Sequence, residues 1–293
     1  IVQTGNAWKN GDPETIKRFT RYCTFNDLTG IFLGDHGTLA IKTKATLKIY
    51  PISEGTAFID FGFTSIEQCA EALHHLQKYK VVTEAVILGD VTSIGLLAST
   101  YTEKYPKIEA IAGIIIEEYN QDLANAKKEI CEKIALQYGG KSVGTFLSKA
   151  HWLNKFNLVQ SLFEEGFWFN TCHIRPFSSL AEIIRYALDL FEKNDLKAKG
   201  ITWIISALAT DRCFCTGWIT LFLKDPEQRP LIEKVWGELR EFEISSGGVP
   251  YWTGLLWEEY VLKSVNPTFY ETLRKIKDLL DPAHTFHPQV YGF

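Results

Sequence analysis

The sequence predicts an α+β protein in which a layer of antiparallel sheet lies under helices. Three observations lead there. Stretches that alternate with period two, such as TAFIDFGF at 56–63, recur between stretches with helical apolar spacing. Two apolar runs, 201–208 and 214–223, are separated by a short segment holding Asp211 and Arg212, the pattern of adjacent strands around a turn. The helical stretches open on capping residues and close on glycine or proline. Antiparallel-prone strands interleaved with amphipathic helices make a sheet-and-helix sandwich.

In chain order, glycines at 30, 34 and 37 lead into a predicted strand over 39–49, with Leu39, Ile41, Ala45, Leu47 and Ile49 on one face and Lys42, Lys44, Thr46 and Lys48 on the other. Closely spaced glycines let a backbone approach a bulky ligand, and the exposed N–H groups of such a loop suit phosphate or carbonyl oxygens. After the strand at 56–63, Ser65 and Gln68 form a capping box for a helix with Ile66, Cys69, Ala70, Leu73 and Leu76 on its apolar stripe. A buried strand spans Ile108 to Ile116. The next helix runs from Gln121 to Tyr138 and stops at Gly139-Gly140, where a left-handed residue ends it. A helix over 151–165 and a strand over 167–174 follow. Ser179 and Glu182 cap another helix, with Leu180, Ile183, Ile184, Ala187, Leu188 and Phe191 inward. One more helix follows Pro226. The last begins at Asn266-Pro267, turns Phe269, Leu273, Ile276 and Leu280 inward, and ends at Asp281-Pro282.

Composition narrows the function. The 293 residues are enough for one large domain or two smaller ones. A net charge of −4 and a pI near 6.0 argue against a nucleic-acid partner held by bulk electrostatics. No apolar run reaches membrane-spanning length and no secretory signal opens the chain. Six cysteines are too sparse for a disulfide scaffold, so a cytoplasmic location with reduced thiols is expected. Methionine is absent, initiator included, which points to a processed chain or one that starts inside a longer product.

The stretch FNDLTGIFLGDHGTLAIKTKATLKIYP at 25–51 closely resembles the D-L-T-G-L-F-x-G-S-E-G-T-L-G-I-x-T-x-A-T-L-x-L-x-P segment of the vanillyl-alcohol oxidase and D-lactate/glycolate dehydrogenase superfamily of flavoenzymes. Asp35-His36 replaces its Ser-Glu pair, and Ala40 its Gly. Near the other end, Leu280, Asp281, Pro282 and Pro288 resemble the family's closing L-D-P-x-x-x-x-x-P-G, with Gln289 where the Gly stands. The resemblance implies FAD as cofactor, with Asp27, Thr29, Gly30, Gly34, Asp35, His36, Gly37, Thr38 and Ile41 beside it. It implies the end of an FAD-binding domain at 1–52, a ferredoxin-like antiparallel cap or substrate domain at 53–265, and a helix and tail at 266–293 that return to the FAD domain. The first half of such an FAD domain is missing, so a truncated chain, or a partner chain that completes the site, is expected. The implied reaction is oxidation of an alcohol or hydroxy-acid carbon of a small molecule, with electrons passing to oxygen or an electron-transfer protein. A non-catalytic structural or assembly subunit with the same fold is the alternative.

Catalytic candidates are polar groups of the cap. Tyr251, in the GVPYWTG run at 248–254, resembles the Tyr of the family's G-x-x-Y-R-T-H, although Trp252 and Gly254 replace the Arg and His. His173 and Arg175 form a polar pair at the end of a strand, and a histidine there can take a proton from a substrate hydroxyl. Arg212, near a turn, is a candidate for steering a carboxylate. The paired metal histidines of the hydroxy-acid branch are missing from 201–223. Cys213 and Cys215 read as buried thiols, and His284 and His287 as packing residues, so no metal is expected.

Overall fold

The computed structural model describes residues 28–45, 47, 49–154, 166–211, 213–251, 257–288 and 290–292. The chain divides into two compact units: residues 50–251, and the two chain ends, 1–49 with 252–293.

The 50–251 unit is organised on an eight-stranded antiparallel sheet in the order β4-β1-β3-β2-β6-β7-β5-β8. The strands are β1 (Gly55–Phe63), β2 (Glu84–Leu88), β3 (Ala110–Glu118), β4 (Lys141–Gly144), β5 (Phe167–Pro176), β6 (Trp203–Asp211), β7 (Phe214–Leu223) and β8 (Val249–Pro250). The described helices of this unit are α1 (Ile66–Lys78), α2 (Val91–Leu97), α3 (Ser99–Lys104), α4 (Gln121–Gln137), α5 (Phe146–Leu153), α6 (Leu180–Lys193) and α7 (Arg229–Ser245). The order strand–helix–strand–strand–helix–strand occurs twice, as β1-α1-β2-β3-α4-β4 and as β5-α6-β6-β7-α7-β8. Each set is a ferredoxin-like motif. The two meet where β2 pairs with β6, through Val86↔Leu208, Ile87↔Ala207 and Leu88↔Ser206. The first half carries α2 and α3 between β2 and β3, and α5 after β4. In the second half only residues 212 and 213 lie between β6 and β7.

Antiparallel partners share a face of the sheet, so the register sorts every side chain. One face packs on α1, α4, α6 and α7, where Phe61, Ile87, Ile114 and Ile205 of the strands meet Leu73, Ile183 and Val235 of the helices. On the other face, Val86, Leu88 and Ile111 pack with Ile94, Tyr101 and Leu147 of α2, α3 and α5. The start of α5 is capped from a distance. Asp60 on β1, fully buried, accepts from Leu147 N (2.7 Å), Ser148 N (2.9 Å) and the Tyr101 hydroxyl (2.6 Å), and that hydroxyl accepts from Phe146 N (2.8 Å). The donors left unpaired at any helix start are thus satisfied by side chains of β1 and α3.

Several sequence expectations are met. Ser65 Oγ accepts from Gln68 N at 3.3 Å, and α4 ends at Gly139 with φ +82°. Others are corrected. The Ser179 hydroxyl donates to Pro176 O at 3.1 Å and makes no cap; a 3-10 turn, Phe177–Ser179, leads into α6 instead. The helix expected over 151–165 begins earlier, at Phe146, and its described part ends at Leu153; residues 155–165 lie outside the described residues. Among the described residues of 39–49 the expected strand does not form: Ile41, Leu47 and Ile49 are 74%, 78% and 88% exposed, and no described strand pairs with this segment. Alternation makes a strand only where a neighbour completes the hydrogen-bond ladder.

In the unit of the two chain ends, a 3-10 turn at Thr29–Phe32 precedes the glycine loop. Helices α8 (Glu258–Ser264) and α9 (Pro267–Leu280) follow, then a turn at Val290–Gly292. Asn266 caps α9, accepting from Thr268 N and Phe269 N at 2.9 and 3.3 Å. The apolar stripe of α9 is less buried than its spacing suggests, with Phe269 63% exposed.

Candidate functional site

Functional candidates occur in each unit. In the unit of the chain ends, the glycine loop turns through three left-handed residues, Gly34 and Gly37 at φ +76° and His36 at φ +50°. The two glycines supply a backbone that side chains resist, and space stands open where their Cβ atoms would lie. Asp35 organises the interior of the turn: Oδ1 accepts from Gly37 N (3.3 Å) and pairs with the Lys42 ammonium, and its carbonyl accepts from both the N–H and the hydroxyl of Thr38. Partial burial lowers the Lys42 pKa. Asp35 Oδ2 is buried without a hydrogen-bond partner.

The loop is tied to the C-terminal segment by a buried lysine. Lys277 on α9, 1% exposed, donates to Thr38 O (2.7 Å), Phe286 O (2.8 Å) and Asp281 Oδ2 (2.6 Å), so all three ammonium hydrogens have acceptors. Asp281 also accepts from the Thr285 and Phe286 N–H groups and from the Thr285 hydroxyl. Desolvation alone would raise the Asp281 carboxyl pKa, but the Lys277 ammonium and these donors outweigh it and hold it well below the carboxylate range. The His36 ring meets Tyr291 edge-on at 5.7 Å. A cavity of about 400 Å³ lies in this unit, lined by Gly34, Asp35, Leu39, Phe269, Leu273 and Ile276 among others.

In the 50–251 unit, the two faces of β5 carry different chemistry. His173 and Arg175 lie on the face covered by α7, and each is 1% exposed. His173 Nδ1 stands 2.7 Å from Glu243 Oε1, a carboxylate equally buried, but out of line for a well-formed hydrogen bond. The ring fits because its neighbour on β7 is Gly217, where a Cβ would come within 2.5 Å of His173 Nε2. Arg175 donates to Ser179 O (3.0 Å) and Ser246 Oγ (3.3 Å), and burial lowers its pKa.

Tyr251 belongs to the opposite face. Its N–H donates to Cys172 O at 2.9 Å, and its ring, 48% exposed, meets Trp218 at 6.5 Å. The register sets Cys172, Trp218 and Ser206 side by side across β5, β7 and β6, with Asn170 and Thr220 in the next row and Ile174, Thr216 and Leu208 in the row beyond. Asn170 Oδ1 and Thr216 Oγ1 are buried without hydrogen-bond partners. Desolvation, with the Glu243 charge behind it, pushes the Cys172 thiol far above its ordinary range.

The residues expected at a site therefore fall into three groups. Thr29, Gly30, Gly34, Asp35, His36, Gly37 and Thr38 share one turn and loop, with Ile41 on the exposed segment after it. His173 and Arg175 share a buried cluster, and Tyr251 lies on the other face of the sheet. Asp27 and Arg212 lie outside the described residues. Sequence reading missed Lys277, whose four-residue spacing to Asp281 was the available signal. It also missed Glu243, Thr216, Trp218 and Asn170, which only the strand register and the packing of α7 bring into place. Among the described residues no group of three or more His, Cys, Asp or Glu side chains is placed to hold a metal.

Comparison with known proteins accounts for the architecture. The chain is 22% identical to an alkyldihydroxyacetonephosphate synthase of Caenorhabditis elegans, over 89% of this chain and 49% of that protein. It is 21% identical to a mitochondrial D-lactate dehydrogenase [cytochrome] of Kluyveromyces lactis, over 89% of this chain and 47% of that one. It thus spans about half the length of these relatives. Among solved structures, p-cresol methylhydroxylase with substrate bound superposes with a TM-score of 0.75 at 14% identity, covering 96% of this chain and 61% of that one. The 4-ethylphenol oxidase from Gulosibacter chungangensis gives 0.68 at 14% identity, covering 84% and 55%. Residues 52–290 match the model for the C-terminal domain of FAD linked oxidases, and the chain belongs to that family, whose cofactor is FAD.

Proposed function

We propose that this chain is an FAD-dependent oxidoreductase, or a large fragment or subunit of one, that oxidises an alcohol or hydroxy-acid carbon of a small molecule. In this reading residues 1–52 close the FAD-binding domain, 53–265 form the substrate domain, and 266–293 return to the FAD-binding domain. The observation that carries the proposal is the glycine loop: its left-handed turns are open to a ligand, and Lys277 holds its Thr38 carbonyl to the C-terminal segment. A scaffold freed from cofactor binding has no need of that arrangement.

The loop residues fit part of an FAD molecule. Asp35 Oδ2, a buried acceptor in want of a donor, suits a hydroxyl of the ribityl chain or the ribose, and the open glycine faces let a large group approach. Its negative charge does not suit the pyrophosphate, so that group falls to other parts of the complete FAD domain, in the same polypeptide or in a partner chain. When bound, FAD supplies the hydride acceptor. The protein's part is to place the substrate and to exclude water, and Tyr251 and its neighbours on β5 and β7 are the groups we assign to substrate. His173 and Arg175 support that strand from behind. No described helix is long and apolar enough to cross a membrane; we place the protein in the cytoplasm, passing electrons to oxygen or to an electron-transfer protein.

The test is the absorbance of the natural full-length polypeptide, or of this chain with any polypeptide that completes the FAD domain. A flavin band at roughly 450 nm that bleaches when an alcohol or hydroxy acid is added without oxygen is expected. Colourless protein in every such preparation overturns the proposal. The burial of His173 and Arg175 under α7 favours a second reading, a non-catalytic subunit. That reading is eliminated by bleaching with any member of a substrate panel.

A further inference from the structure

We propose that Arg175 is a positioning residue that acts across the sheet. From the helix-covered face it fixes the turn after α7, and through β8 it sets where the Tyr251 ring stands on the opposite face. The part Tyr251 plays in a reaction rests on the proposed oxidoreductase function; its placement by Arg175 rests on three observations.

First, one rigid group joins two chain reversals. Arg175 is 1% exposed, and its guanidinium donates to Ser179 O at 3.0 Å, in the 3-10 turn before α6, and to Ser246 Oγ at 3.3 Å, just past the end of α7. The planar fork of an arginine holds two partners in a fixed relation. The Glu243 carboxylate favours its charged form, against the cost of burial. An apolar side chain would fill the same space without that cost, so packing alone does not account for an arginine at 175.

Second, the turn lies directly against the guanidinium. Gly248 N donates to Glu243 O at 2.8 Å, and Gly247 turns the chain at φ +84°. A Cβ on Gly248 would stand 2.6 Å from Glu243 O and 2.9 Å from a guanidinium nitrogen of Arg175. Glycine brings backbone and guanidinium together there, so displacing one displaces the other.

Third, the strand that follows has little hold of its own. β8 is two residues long, Val249 is 60% exposed, and Pro250 has no N–H to give to the ladder. Its partners on β5 are Ile174 and His173, and the next N–H, that of Tyr251, reaches Cys172 O at 2.9 Å. So short an edge takes its direction from the turn that feeds it. The Tyr251 ring then meets Trp218 at 6.5 Å and 69°, on the face away from Arg175.

The test reads the indole N–H signals of ¹⁵N-tryptophan-labelled protein, in the natural full-length polypeptide or in this chain with any polypeptide that completes the FAD domain. The signals are assigned by their loss in Trp203→Phe, Trp218→Phe and Trp236→Phe, and Tyr251→Leu gives the Trp218 shift when the ring is gone. We expect Arg175→Met to move the Trp218 signal by about half that shift or more, since ring pairs hold only to about 7 Å. The signals of Trp236, which donates from α7 to Asn170 O, and of Trp203, in the core under the helices, should stay. Ser246→Ala keeps the buried charge, removes its bond to the turn, and should move Trp218 in the same way. A folded Arg175→Met with Trp218 unmoved overturns the inference; where that variant does not fold, Ser246→Ala with Trp218 unmoved does. A Trp218 signal that moves only together with Trp203 and Trp236 marks general loosening and overturns it as well. Flavin content is measured on the same samples. Flavin-loaded protein whose Trp218 ignores both substitutions refutes this inference alone, and protein that shows the Trp218 shifts but never takes flavin refutes the oxidoreductase reading alone.

Discussion

Replacing Asp60 by asparagine tests whether α5 depends on a carboxylate that comes from another element. The substitution keeps size and shape and removes only charge and acceptor capacity. Asp60 now serves three donors at 2.6, 2.7 and 2.9 Å, with no cation as partner among the described residues. The Tyr101 hydroxyl can rotate, so the single acceptor oxygen of the substituted amide keeps at most part of the arrangement, and the amide NH₂ is left facing a backbone N–H. An orphaned buried N–H costs about 1–3 kcal/mol. Loss of a negative charge at a helix start adds about 0.3–2 kcal/mol. Together these predict a loss of about 3 kcal/mol for Asp60→Asn and about 1 kcal/mol for Tyr101→Phe, which removes one bond to the carboxylate and one from Phe146 N. The assay is urea unfolding combined with hydrogen exchange at the Phe146, Leu147 and Ser148 amides, which reports on α5 whatever the rest of the chain does. A loss below about 1 kcal/mol for Asp60→Asn, with those amides as protected as before, refutes the reasoning.

Other perturbations follow from the same structure. Gly217→Ala drives a methyl into the His173 ring and is expected to destabilise by about 1–3 kcal/mol, read by thermal unfolding; a neutral result means that the ring has room to move. Lys277→Met removes the tie between α9 and Thr38, so the Gly37 and Thr38 amides should exchange faster and FAD affinity should fall; unchanged exchange at both dismisses the tie. The Arg185 guanidinium, through its hydrogen bond, pulls the Glu67 carboxyl down to about 2. A carboxyl depressed in the folded state stabilises above its unfolded pKa, about 4.3, and loses that contribution as pH falls towards about 2. Both groups are largely exposed, so the stability effect is small, and the clean readout is the Glu67 titration midpoint, which should rise towards the ordinary value in Arg185→Met. Desolvation raises the thiols of Cys69, Cys131 and Cys215, the last two to about 12, so native protein at neutral pH should leave them unlabelled by iodoacetamide while Cys213, less buried, reacts. Labelling of Cys69 before Cys213 contradicts this.

The alternating strands and the amphipathic helices α1, α4, α6, α7 and α9 were legible because each carries its own pattern and most carry a local cap. What escaped the sequence was decided between elements. The 39–49 segment has a strand's alternation but no neighbour among the described residues. Helices α2 and α3, of seven and six residues, are too short for a period to show. The candidate sites were legible in residue type and not in direction. His173 and Arg175 were visible as a polar pair, yet α7, more than fifty residues later, decides that they face inward. Thr216 and Asn170 look like ordinary strand residues until the register places them on one face and leaves their polar atoms unused.

The duplicated sheet is built of two equivalent halves, each with a face free of its own pair of helices. Decoration breaks the equivalence. Among the described residues, helices α2, α3 and α5 pack on that face in the first half, and the short β6–β7 connection adds no helix to the second. In the second half that face keeps Asn170 Oδ1 and Thr216 Oγ1 buried without partners, at a stability cost its twin offsets. Replacing Thr216 by valine, which removes an unpartnered hydroxyl at nearly constant shape, should therefore cost little stability, and substitutions around Asp60 far more.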